Sequence, residues 1–216
     1  MPPAAYAAPP HRVELSAVRI LAVPLALLAF HGSARPLTAP VRAQILAAHA
    51  WHAGCPVALS QLRLLTLDYW GFDGRVHTGQ MTVNAAAAAP LLRVFARLYE
   101  LRFPIRRIAP LEENGDVTAS FGCRDAAASP CPGTPPTHSW SEHAYGLAVD
   151  LNPAENPYTG CGRTRDPAAR PFLDRSRLRR GMVTPAVVAA FRAIGWGWGG
   201  DWSGTKDYMH FSANGH

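Results

Sequence analysis

The pair His143 and Asp150 restricts the folding of this chain more than any other feature. Both are ligand types for a divalent metal. Seven residues of extended chain would hold them roughly 23 Å apart, whereas two ligands of one zinc each lie about 2 Å from the ion. To share an ion they need a reversal of the chain between them, and Gly146 is the residue best able to make it, because glycine enters conformations that a Cβ forbids. The following Leu147-Ala148-Val149-Asp150-Leu151 alternates, so that Val149 and Leu151 point one way and Ala148 and Asp150 the other. A short strand is predicted here, with the carboxylate on the face opposite the core.

A third ligand type, His210, stands in Asp207-Tyr208-Met209-His210-Phe211. Two imidazoles and one carboxylate with an open position form the donor set of a catalytic zinc. Water attack assisted by such a metal needs a base, and Asp207, three residues before His210, is the expected one, with Asp201 as its competitor. Arg124 is the natural cation for an oxyanion or a substrate carboxylate, since its guanidinium stays charged and donates in a fork. Any one of the nine histidines taken singly is more often structural than a ligand. The combination of spacings carries the argument.

The rest of the chain reads as one domain. Its 18 Gly and 20 Pro, without a fixed period, argue for many loops and against coiled coils and helical solenoids. The pattern predicts a helix over 41–52, in which Val41, Ile45 and Ala48 share a face, and a strand over 62–67. A second strand over 79–84 leads into a helix over 85–101, where Leu91, Val94, Phe95 and Leu98 recur at helical spacing. Residues 103–108 are a further strand candidate, 111–136 and 152–180 read as irregular, and a helix is expected over 185–194 with Thr184 as its N-cap.

Residues 1–34 have the layout of a secretory signal. Arg12 and Arg19 precede an apolar run from Ile20 to Phe30, which is followed by Gly32 and Ala34 at small-x-small spacing. A bilayer span needs about 20 apolar residues, so no stable membrane crossing is expected from that run. Cys55, Cys123, Cys131 and Cys161 fit two disulfides in an exported protein, with three connectivities open. The net charge of +6 rests on 21 basic residues, of which Lys206 is the only lysine. Such a balance suits nucleic acid, an anionic membrane or an acidic wall polymer. No basic block with interleaved aromatics is present, however, and Arg175-Ser176-Arg177-Leu178-Arg179-Arg180 reads as a solvated face. No nucleic-acid partner is expected.

The pattern S-x-H-x-x-G-x-A-x-D, met by Ser141, His143, Gly146, Ala148 and Asp150, followed by D-x-x-H-F at Asp207, His210 and Phe211, resembles the zinc D-Ala-D-Ala carboxypeptidase and L-alanyl-D-glutamate endopeptidase family. The tract Trp198-Gly199-Gly200-Asp201-Trp202 is similar to that of its endolysin-like branch, and the resemblance extends back through Thr118–Arg124 and, less specifically, Tyr69–Gly74, covering about residues 55–212. It implies a single α+β domain over 35–216, of the kind shared by hedgehog and D-Ala-D-Ala peptidases, with a small antiparallel sheet carrying the metal and helices behind. It further implies Zn²⁺ held by His143, Asp150 and His210, with Asp207 as general base and Arg124 stabilising the polarised carbonyl. Ser120 and Ser141 would contact substrate or brace the site, and His77 and Gln80 are candidate cleft residues. The dipeptidase branch has Glu where this chain has Asp207, which favours the endopeptidase-like branch. The implied substrate is the peptidoglycan stem peptide, met outside the cytoplasm by a monomer. A non-catalytic, zinc-containing wall-binding module is the alternative, and the presence of Asp207 counts against it.

Overall fold

A computed structural model describes Met1 and residues 29–112, 116–129, 131–135, 138–164 and 166–216. The first sheet holds three antiparallel strands in the order β1 (Gly32–Pro36), β2 (Leu62–Trp70), β3 (Val76–Asn84). Helix α1 (Ala39–Ala47) lies between β1 and β2 in sequence, and α2 (Ala85–Glu100) follows β3 directly. β2 is apolar on both faces. Leu65, Leu67 and Tyr69 join Leu91, Val94, Phe95 and Leu98 of α2 in the main core, while Leu62 and Leu64 turn to a second cluster with Val41 and Ile45 of α1, Leu111 and Phe121. Alternation on a strand buried on both sides thus puts one core on each face.

Two smaller antiparallel sheets follow. β4 (Ala148–Asp150) and β7 (Gly197–Trp198) flank β9 (His210–Ser212); β6 (Arg163–Thr164) and β8 (Lys206–Asp207) flank β5 (Tyr158–Gly160). Helix α3 (Pro185–Arg192) starts with Thr184 capping Val187 N–H, as expected from Thr-Pro at this position. Val149, Leu151, Phe191 and Phe211 complete the main core, so the α2 sheet and the β4–β9–β7 sheet share one apolar interior. The molecule is a single α+β unit, as expected, although the antiparallel strands among the described residues divide into three sheets.

Several boundaries shift. Residues 103–108 form no strand, because Pro104 has no N–H to give a ladder and the segment makes only isolated bridges, Pro104 with Trp70 and Ile108 with Thr118. The stretch 152–180 carries β5, β6 and a 3₁₀ turn over Pro167–Phe172. Most of the 1–34 segment lies outside the described residues. Its last residues do not: Gly32, Ser33 and Ala34 pair with Leu67, Thr66 and Leu65, the Phe30 ring lies tilted against that of Tyr99, and His31 bonds Asp68. The cysteines pair as Cys55–Cys123 and Cys131–Cys161.

Candidate metal centre and cleft

One residue at the β3–α2 corner begins the site. The Asn84 side chain caps α2 by accepting from Ala86 N–H and donates to the Tyr145 carbonyl, while its own N–H donates to the Gly146 carbonyl. These bonds hold a 3₁₀ turn, Glu142–Tyr145, against the first sheet. Ser141 caps that turn, its hydroxyl accepting from His143 N–H at 3.3 Å. Gly146 ends it at φ 66°, and a Cβ there would come within 2.7 Å of Asn84 N, so the reversal needs glycine both for its conformation and for the close approach. Beyond the turn β4 carries Asp150 outward, with Val149 and Leu151 fully buried behind it.

β9 pairs with β4 in the register Asp150 opposite His210, which brings the third side chain in. His143 Nε2 lies 3.1 Å from His210 Nδ1 and 3.2 Å from Asp150 Oδ1, and His210 Nδ1 lies 3.2 Å from the same oxygen. Four ligands about 2.0–2.1 Å from a tetrahedral centre stand about 3.3–3.4 Å apart. The three atoms therefore match one face of a zinc tetrahedron in both type and spacing. Each imidazole is also oriented from behind. His143 Nδ1–H points to the Ser120 carbonyl at 2.5 Å and to Glu112 Oε1 at 2.9 Å; His210 Nε2–H points to the His216 main-chain oxygen at 3.2 Å. With the inner nitrogens donating to these oxygens, the outward nitrogens are the ones a metal would take as lone pairs in place of a proton.

The charges fit a cation. Burial disfavours a proton on His143, but Asp150 and Glu112 outweigh it and hold the imidazole well above its ordinary value. Burial acts against ionised Asp150 too, and the two imidazoles overcome it and hold that carboxyl far below the usual range. Asp207 behaves oppositely. Its burial and the neighbouring Asp150 charge raise its carboxyl well above the ordinary value, and its Oδ1 is buried without a hydrogen-bond partner.

His143, Asp150, His210 and Asp207 line a cleft of about 380 Å³, together with Arg124, Ser141, Trp140, Tyr158, Trp202 and His216. Of the sequence-predicted residues it brings together His143, Asp150, His210, Asp207, Arg124 and Ser141. Ser120 is fully buried and meets the site through its carbonyl. Asp201 is half exposed and paired with Arg192, away from the cleft lining. His77 is paired with Asp73 and Gln80 is exposed on β3, and neither lines the cleft. Sequence reasoning missed Glu112, which bonds Arg124 Nε and Nη2 at 2.7 and 2.9 Å as well as facing His143. Its only local sign is Gly122, where a Cβ would lie 2.5 Å from Glu112 Oε2.

Residues 135–213 match the D-alanyl-D-alanine carboxypeptidase family. The matched segment carries Ser141, all three ligand-type side chains and Asp207, and peptidases of this family are zinc-dependent. Arg124 and Glu112 lie upstream of it. No solved structure matches the chain.

Proposed function

We propose that this chain is a zinc peptidase that cuts an internal peptide bond of bacterial peptidoglycan. The reading is carried by one observation: a zinc-spaced His143–Asp150–His210 face and the second carboxylate, Asp207, line the same cleft. When bound, zinc supplies Lewis acidity toward a carbonyl oxygen and a water. Asp207 takes the proton of the attacking water and returns it to the leaving amine, a role suited by a carboxyl whose proton affinity is raised. Arg124 donates to the oxyanion. A wall-binding module without chemistry has no use for a second carboxylate held in this way.

The internal bond is favoured by Asp207, which stands where the dipeptidase branch of the resembled family has Glu. Arg124 is the one Lys or Arg among the described residues that line the cleft; its Nε–Nη2 edge is committed to Glu112 and Nη1 donates to the Asp125 carbonyl at 3.3 Å, which leaves the other Nη hydrogens for a substrate oxygen. The two disulfides fit a protein that works outside the cytoplasm, and no helix among the described residues is long and apolar enough to cross a membrane.

Mass spectrometry of purified peptidoglycan, digested with and without a chelator, tests the reading. Chelator-sensitive release of stem-peptide fragments with new internal ends is expected. Release of free D-alanine alone would convert the reading to a carboxypeptidase, and an absence of cleavage would overturn it.

A further inference from the structure

Glu112 is unused by the chemistry above, yet it touches two of its participants. It lies at the end of the segment that leaves the α1 core through Leu111, which is 2% exposed and fixes the backbone beside it. Glu112 Oε1 stands 2.9 Å from His143 Nδ1 and accepts from Arg124 Nη2 at 2.9 Å, while Oε2 accepts from Arg124 Nε at 2.7 Å. It is absent from the cleft lining, and its contacts with the site run through His143 and Arg124. Gly122 opposite leaves the room it needs.

We infer that Glu112 is a positioning residue that locks the metal ligand His143 and the oxyanion donor Arg124 into one unit. The roles of those two residues rest on the peptidase reading; the contacts do not. A carboxylate behind a ligating imidazole strengthens it as a donor, and a bidentate pair fixes the plane of a guanidinium. The Arg124 and Glu112 side chains are 40% and 25% exposed, so the pair adds little stability in water and its value is geometric. The Ser120 carbonyl also accepts from His143 Nδ1 and keeps the tautomer when Glu112 is altered. What Glu112 adds is negative charge at the ligand and a fixed direction for Arg124.

Two variants isolate this. Glu112→Gln keeps the shape and removes the charge. Gly122→Ala keeps the charge and forces the carboxylate aside, because the new Cβ would meet Oε2 at 2.5 Å. Zinc affinity, read by competition with a chromogenic chelator, is expected to fall about 10–100-fold in both, with kcat reduced and KM little changed. Glu100→Gln, which removes an exposed partner of Arg97, serves as the charge-matched control and should match wild type. Should Glu112→Gln fail to fold, Gly122→Ala decides alone. Wild-type zinc affinity and kcat in the folded variants overturn the inference. His143→Ala separates this from the parent reading: if it still holds zinc, the peptidase reading fails, whereas if it loses zinc and the Glu112 and Gly122 variants do not, only the positioning role fails.

Discussion

In the first sheet β2 and β3 pair nine residues with nine, whereas among the described residues no strand beside the cleft is longer than three. The first region is held by a continuous backbone ladder and by apolar contact with α2. The second is held by side chains. Trp198 and Trp202 donate their indole N–H groups to the Tyr208 and Gly215 carbonyls, Asn156 Nδ2 donates to the carbonyls of Leu151, Asn152 and Gly181, and Cys131–Cys161 ties the loop before the site to the turn between β5 and β6. Among the described residues the buried polar groups follow the same division: all except Thr82 lie beyond residue 117. A buried polar group holds its place only when its partners are present. The apolar region therefore acts as the frame, and the polar one, joined to it through Asn84 and through the shared apolar interior, as the instrument.

That division predicts which substitutions separate stability from chemistry. His143→Ala should have the largest effect, abolishing both zinc binding and hydrolysis while far-ultraviolet circular dichroism stays close to wild type. Stoichiometric zinc in the purified variant would remove His143 from the ligand set and overturn the peptidase reading with it. Asp207→Ala comes next. It touches the chemistry without a ligand, so zinc should remain while hydrolysis falls about 10²–10⁴-fold. Turnover near wild type would take the base role from Asp207, and Asp201, paired with Arg192, could not inherit it without leaving that partner.

Phe95→Ala tests the frame. Phe95 is 1% exposed in the main core, and its truncation should cost about 3–5 kcal/mol in denaturant unfolding. At a temperature where the variant is folded, zinc affinity and KM should match wild type. Loss of zinc affinity in a folded Phe95→Ala protein would show that the two regions are not separable in this way.

The same contrast explains what could be read from the sequence. Periodicity marked α2 and the inner six residues of β2 and β3, 62–67 and 79–84, where burial leaves an apolar repeat; the outer residues 68–70 and 76–78 carry no such repeat and do not read as strand. The reversal at Gly146 and the outward Asp150 were legible for a different reason: ligand chemistry restricts residue type and spacing more tightly than a core does. β5, β6 and β8 were not legible, since two or three residues contain no period. Nor was Glu112, whose partners lie 12 and 31 positions away across a Gly- and Pro-rich stretch. The disulfide pairing needed the fold, because four cysteines carry no record of which chain segments meet.

Arg124→Lys has the smallest expected effect and addresses the junction between the two regions. Arg124 follows Cys123, which the disulfide joins to Cys55, and the next segment, 125–126, pairs back toward Ser139 and Trp140. The position of its backbone is therefore independent of its charge. Lysine keeps that charge but offers Glu112 a point contact in place of two parallel bonds, so its ammonium is free to swing out of line with the cleft. We expect kcat/KM to fall at least about tenfold, which corresponds to about 1.4 kcal/mol of transition-state stabilisation, with zinc retained. Because Glu112 still faces His143 in this variant, zinc affinity should change less than in Glu112→Gln. If Arg124→Lys and Arg124→Ala both matched wild type on a peptide substrate, Arg124 would be a wall of the cleft held by Glu112, and stabilisation of the oxyanion would fall to the metal alone.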